Sequence, residues 1–185
     1  MTSTRPAQTL RIYVDSCIFV DWLDDTGFAP EVQQAMEMAV RGECALLTSV
    51  LAQAEVAFTA TEKAGKQLDP AVTARMNKLW HPSSPVELVS LHPIVASRAS
   101  DLIRSGVPFG RSGLGGADAV HLATAEREQA IELWTKNGRV QKMNRQLGFA
   151  VCEPHFLQPI RPVVVSGQTP SLFPGTPPSA PRIQT

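Results

Sequence analysis

Short apolar runs alternate along this chain with segments of helical periodicity. That alternation predicts an α/β domain of three layers, α/β/α, around a mostly parallel sheet. A second observation agrees with it. Asp15, Glu55, Asp118 and Asn137 each stand at the C-terminal edge of an apolar run or just inside the helix after it. In an open α/β sheet, ligands bind in the crevice at those strand ends. A third is size: 185 residues suit one domain with something left over.

The elements follow in order. Residues 1–9 read as a loose leader. Arg11, Ile12, Tyr13 and Val14 open a strand over 10–15 that runs into a short helix through Trp22 and Leu23. Gly27 breaks that helix. Pro30 suits the first turn of the next, PEVQQAMEMAVRG, with Gly42 as its C-cap. CALLTS is the second strand. It feeds a helix over 50–64 whose Val50, Leu51, Ala54 and Phe58 fall on one face. Asp69 and Pro70 cap and start a helix that ends near Trp80. PSSP breaks the chain, VELVSL is a third strand, and 93–105 is a further helix. The Gly-rich loop 106–116 leads to an Ala-rich helix carrying Asp118. The strand IELWT, a helix through Leu147 and the short strand FAVC complete the domain over 10–157. Seven prolines fall among residues 158–185, mixed with Ser, Gly, Thr and Gln. Such a tail cannot form a core and reads as disordered.

Composition excludes several classes. Hydrophobic content of 43% and charged content of 18% are those of a soluble globular protein that needs no staples. The formal net charge is zero, so any nucleic-acid binding must come from a local patch. Cys17, Cys44 and Cys152 are odd in number, far apart and set in apolar segments, as free thiols in a reducing cytoplasm are. No apolar run reaches the roughly 18 residues of a membrane span. The first residues lack the apolar region of a secretory signal. A cytoplasmic protein without membrane attachment is expected.

Three carboxylates gathered at the strand ends would repel one another. They must stay partly protonated or hold a hard cation. Oxygen ligands with few histidines nearby point to Mg²⁺ or Mn²⁺ rather than zinc. Each residue also has a plainer reading. Asp15 and Asn137 could be helix N-caps. Glu55 could be a solvated face residue, and Asp118 a first-turn residue favoured by the helix dipole. His121, one turn after Asp118, reads as packing or as an orienting hydrogen bond. His81, His92 and His155 have no metal-ligand spacing such as H-x-x-x-H, and no cysteine–histidine pair has catalytic spacing. Lys136, Arg139, Lys142 and Arg145 recur every three residues beside Asn137, either as a solvated face or as a grip on phosphates. GRSGLGG lacks G-K-[ST] and reads as a flexible flap, not a phosphate cradle.

The runs IYVDSCIFVDWL, LLTSVLAQAEV, GGADAVHLATA and LWTKN, in this order and spacing, resemble the PIN-domain nucleases over residues 10–156. Within these the resemblance is to the VapC-type toxins of bacterial toxin–antitoxin pairs. It implies an α/β/α fold and metal-dependent cleavage of RNA. It sets the family's three acidic positions on Asp15, Glu55 and Asp118, and its T-x-D or T-x-N position on Thr135 and Asn137. Asp15 and Asp118 are then the Mg²⁺ or Mn²⁺ ligands, direct or through water. Glu55 is a ligand through water or orients the nucleophile, and Asn137 meets a metal-bound water. Ser16 and Thr135 orient the carboxylates. On the functional reading of the basic residues, Lys136 and Arg139, with Arg111 of the loop, grip RNA phosphates. Asn137 is neutral, so a second metal is held weakly or not at all. The resemblance further implies a cognate antitoxin that inserts an Arg or Lys near the carboxylates. It also implies a homodimer through the apolar faces of helices near 30–42 and 50–64. The Pro-rich tail and the long loop 106–116 depart from the family pattern.

Two other readings compete with an endoribonuclease toxin. One is a catalytically weak PIN module that binds RNA or a protein partner without cleavage. The other is a phosphohydrolase or receiver domain, disfavoured because Asp15 lacks a D-x-D partner.

Overall fold

A computed structural model describes residues 9–106, 113–144 and 147–158. Five strands form one parallel sheet: β1 (Leu10–Val14), β2 (Cys44–Ser49), β3 (Val86–Val89), β4 (Glu132–Trp134) and β5 (Ala150–Cys152). Their spatial order is β3-β2-β1-β4-β5. The helices are α1 (Ser16–Leu23), α2 (Ala29–Val40), α3 (Val50–Glu55), α4 (Ala60–Gly65), α5 (Pro70–Leu79), α6 (Pro93–Gly106), α7 (Gly116–Arg127) and α8 (Gly138–Gln141). None of these helices is long and apolar enough to cross a membrane.

Strand alternation builds the three layers. Ile12 and Val14 face one side of β1 and Tyr13 the other. The first side packs Leu46, Val86 and Trp134 against Ile18, Phe19, Val32 and Met38 of α1 and α2. The second packs Tyr13, Leu47, Val89, Leu133 and Val151 against α6 and α7. Each fully buried side chain of this size contributes roughly 1.5–3 kcal/mol. A sheet covered on both faces explains why the strands read as unbroken apolar runs.

Chain order fixes where a crevice must lie. From β1 the chain moves outward through β2 to β3, then returns to lay β4 and β5 on the other side of β1. The order therefore reverses between β1 and β4. A parallel sheet opens at such a switch point, because the flanking connections leave in opposite directions.

Two expected elements are corrected. The single helix over 50–64 is two helices, α3 and α4. Thr59 caps α4: its hydroxyl accepts from the Glu62 N–H at 3.2 Å, and the Glu62 carboxylate accepts from the Thr59 N–H at 3.0 Å. This T-x-x-E capping box starts a new helix where periodicity continued the old one. Asp24 reinforces the start by accepting from the Ala60 N–H at 2.9 Å. The apolar face expected for the long helix is consequently the wrong one. Ala52 and Val56 are buried, whereas Val50 and Phe58 are exposed. The helix expected through Leu147 is the four-residue α8, with Asn144 accepting from the Val151 N–H at 2.9 Å. Gly42 follows the α2 cap residue Arg41, at φ +73°, where a left-handed backbone favours glycine. Arg111, Arg145, the leader up to residue 8 and the tail from residue 159 lie outside the described residues.

Candidate active site at the strand ends

Asp15 directly follows β1 and Thr135 directly follows β4, so the switch point sets them side by side. The Asp15 N–H donates to the Trp134 carbonyl at 3.0 Å, and the Thr135 N–H to the Cys152 carbonyl at 2.9 Å. Asp15 is buried, 6% exposed. Its Oδ2 accepts from the Thr135 hydroxyl at 2.6 Å and from the Cys17 thiol at 3.2 Å; its Oδ1 accepts from the Ser16 hydroxyl at 3.2 Å. Three donors offset the loss of water around a buried carboxylate. Asp15 is the N-cap residue of α1 by backbone position, but its side chain makes no capping bond. The carboxylate is thus spent on the crevice and not on the helix. Burial first, and then the neighbouring Asp15, push the Cys17 thiol up to about 12, which keeps it a neutral donor.

One hydrogen-bonded chain runs outward from this point and a second passes beside it. Along the first, the Thr135 hydroxyl accepts from the Asn137 N–H at 3.0 Å. The Asn137 amide donates to Asp118 Oδ1 at 3.1 Å. Asp118 Oδ2 accepts from the Gly115 N–H at 3.3 Å, at the start of α7. Asn137 is also the N-cap of α8, its Oδ1 accepting from the Arg139 N–H at 3.1 Å. The capping and site readings of Asn137 and Asp118 therefore coexist: each uses one side of its side chain for the helix start and the other for the crevice.

The second chain reaches Glu55, the last residue of α3. His121 Nε2 lies 2.6 Å from Glu55 Oε2 and 3.7 Å from Asp15 Oδ1. Its Nδ1 lies 2.8 Å from the Tyr13 hydroxyl, which accepts from the Ser49 N–H at 3.0 Å. The direction follows from the donors. The Ser49 N–H points at the phenol oxygen, so the phenol hydrogen is free for Nδ1. The neutral imidazole then carries its hydrogen on Nε2, aimed at Glu55. Burial lifts the Tyr13 phenol to about 12, so it stays a donor. Glu55 is half-buried and held, not a free face residue.

Sequence reasoning missed three members of this site, Tyr13, Cys17 and Asp21. Tyr13 is the only tyrosine of the chain, a polar group in a buried strand, and that was the available signal. His121 was visible by its spacing from Asp118, but its bridge to Glu55 was not. Cys17 shares Asp15 Oδ2 with Thr135. Asp21, 7% exposed on α1, forms an ion pair with Lys136. Gly27 admits Asp21: at φ +52° a Cβ there would stand 2.5 Å from Asp21 Oδ2. Lys136 is thus already engaged, while Arg139 has no carboxylate within ion-pair range among the described residues.

The donor set suits a hard divalent cation in kind, since Asp15, Glu55, Asp118 and Asn137 offer oxygens. The spacing is open. Among the described residues, one trio of metal-capable side chains has its ligand atoms all within 4.8 Å of one another, and it is Glu132, Cys152 and His155. Asp15 and Asp118 are instead linked through Thr135 and Asn137, while His121 binds Glu55 and stands 3.7 Å from Asp15, a span suited to contacts through water.

The sequence profile of the PIN domain matches residues 12–146. Among solved structures, the fold is similar to that of VapC20 from Mycobacterium tuberculosis, described as a sarcin-ricin loop cleaving toxin. The TM-score is 0.51 at 15% identity, covering 75% of this chain and 96% of that one. It is also similar to VapBC2 from Rickettsia felis, a structure bound to a DNA fragment from their promoter. Here the TM-score is 0.55 at 15% identity, covering 77% of this chain and 97% of that one. A search of curated proteins finds no match.

Proposed function

The chain belongs to the PIN domain family, and from that premise we propose that it is a Mg²⁺- or Mn²⁺-dependent endoribonuclease, the toxin of a toxin–antitoxin pair acting in the cytoplasm. The observation that carries this reading is the hydrogen-bonded path Asp15–Thr135–Asn137–Asp118, which spans the switch point of the sheet. It ties two carboxylates from distant parts of the sequence to one crevice.

Asp15 and Asp118 hold the cation, directly or through water. Such an ion, when bound, polarises a phosphoryl oxygen and lowers the pKa of a water. The protein's own work is positioning. Ser16, Cys17 and Thr135 fix the Asp15 carboxylate. Tyr13 and His121 fix Glu55, which orients the attacking water. Arg139 takes phosphates along the rim, with Arg111 as a further basic contact to RNA; Lys136 shares its charge with Asp21 and contributes less. An antitoxin peptide would block the crevice with an Arg or Lys set between the carboxylates. The chain works as a homodimer. α2 spends Val32, Ala35, Met36 and Met38 on its own core, so Val40, Val50 and Phe58 are the apolar side chains left for association.

The test is RNA cleavage with and without Mg²⁺, with Asp15→Asn as the blank. Cleavage should need the metal and vanish in Asp15→Asn and Asp118→Asn. Wild-type activity in excess EDTA would rule the mechanism out. One feature favours a second reading, a PIN module that binds RNA without cutting. Asn137 meets Asp118 with an amide hydrogen, where a fourth carboxylate would add metal-binding charge. RNA retention without cleavage, at any Mg²⁺ or Mn²⁺ concentration, would decide for it.

A further inference from the structure

A second cluster lies at the β4–β5 edge, outside the crevice. Trp134 pairs with Cys152 and Glu132 with Ala150, so Glu132, Trp134 and Cys152 present side chains on one face. Three residues beyond β5 the chain sets His155 against Trp134, with ring centroids 5.7 Å apart. Glu132 Oε2 lies 3.0 Å from His155 Nε2 and 4.0 Å from Cys152 Sγ, and accepts from the Trp134 indole at 2.8 Å. The three ligand atoms all lie within 4.8 Å of one another.

The histidine gives the cluster its meaning. Nδ1 lies 3.3 Å from the Phe156 carbonyl oxygen, which can only accept, so the tautomer with its hydrogen on Nδ1 donates there. A neutral ring then turns the lone pair of Nε2 toward a carboxylate oxygen. In that tautomer a metal ion held between Nε2 and Glu132 Oε2 would bring the two ligand atoms together. The outer hydrogen bond is the one a ligating histidine makes, its spare N–H on a backbone carbonyl. A tetrahedral ion with bonds of about 2.0–2.3 Å spaces its ligand atoms roughly 3.3–3.8 Å apart, a range that the 3.0 Å and 4.0 Å separations present straddle, so small side-chain shifts would accommodate it.

We propose that Glu132, Cys152 and His155 form a binding site for a divalent ion of borderline softness, Zn²⁺ being the representative, with water as the fourth ligand. Sulfur, nitrogen and oxygen together select this class, and Mg²⁺ does not compete for thiolate. Binding exchanges the thiol proton of Cys152, and any second proton on His155, for the ion; the protons leave to solvent. The ion ties the segment after β5 to β4. It is a different site from the oxygen-lined crevice, and it does not depend on the nuclease reading.

Co²⁺ titration of the full chain tests this. A thiolate-to-cobalt charge-transfer band should appear in the near ultraviolet, vanish on adding Zn²⁺ and persist in excess Mg²⁺. Cys152→Ser should remove it. His155→Ala should weaken Co²⁺ binding by more than about ten-fold, the loss that even an outer partner of a ligand costs. His155 is half-exposed, so that variant keeps the core intact and remains informative if Cys152→Ser folds poorly. Absence of the band, its persistence in Cys152→Ser, or unchanged affinity in His155→Ala would overturn the site in favour of a plain His155–Glu132 hydrogen bond.

Discussion

Replacing Thr135 by valine tests whether the path through the switch point holds the site together. The residue is fully buried, and valine has nearly its shape. Its hydroxyl makes two strong bonds, donating to Asp15 at 2.6 Å and accepting from the Asn137 N–H at 3.0 Å, beside a longer 3.6 Å contact with the Cys17 sulfur. Losing a hydrogen bond to a charged group costs about 1.5–3 kcal/mol, and an unpaired half-buried N–H adds about 1–2 kcal/mol. The extra methyl returns roughly 0.8 kcal/mol of burial at most. The net loss is about 2–4 kcal/mol, which lowers Tm by roughly 4–16 °C in a chain of this size. Thr135→Ser is the control. It keeps both bonds and loses one methyl, about 1 kcal/mol. Urea unfolding followed by tryptophan fluorescence reads both, with the slope unchanged if only native contacts are lost. If valine is no more destabilising than serine, the hydroxyl does not hold Asp15, and the positioning argument fails.

Other expectations follow from the same contacts. Asn137→Asp keeps the α8 cap, because a carboxylate oxygen accepts the Arg139 N–H equally well. It also sets like charge against Asp118, so metal-free stability should fall by about 1.5–3 kcal/mol while half-maximal cleavage shifts to lower Mg²⁺; superimposable titrations would remove Asn137 from the site. Tyr13, the only tyrosine, should show its phenolate absorbance in the folded protein only near pH 12. Its folded pKa lies above the ordinary value of 10, so its contribution to stability is whole below pH 10 and is lost between pH 10 and 12. A folded-state midpoint near 10 would mean that Tyr13 is not buried in this way. Deleting residues 160–185 should leave Tm and cleavage nearly unchanged, since a Pro-rich segment buries little apolar surface; a fall of several degrees would mean that it docks.

Much of the scaffold is legible in the residue pattern. CALLTS became β2 residue for residue, and Asp69–Pro70 opened α5 with Asp69 accepting from the Ala71 N–H at 2.7 Å. Both signals are local: a run buried on both faces, and a cap with a proline whose missing N–H costs nothing. The split between α3 and α4 was written locally too, in Thr59 and Glu62, but apolar periodicity across the gap hid it. The side of the helix that packs was not readable there, because Phe58 fits an apolar stripe whether or not a partner covers it.

Sequence alone determined the strand–helix alternation and the order of Asp15, Glu55, Asp118 and Asn137, since each depends on residues close in the chain. Tertiary structure decided what those residues touch. Thr135 meets Asp15 across 120 positions, and His121 meets Tyr13 across 108. Such pairings exist only once β4 lies against β1 and α7 against the sheet. The same holds for Glu132 and His155, whose spacing carried no metal signature until β5 brought the chain back beside β4. Local pattern sets the backbone's periodicity, whereas the partner of a polar side chain depends on which strands become neighbours.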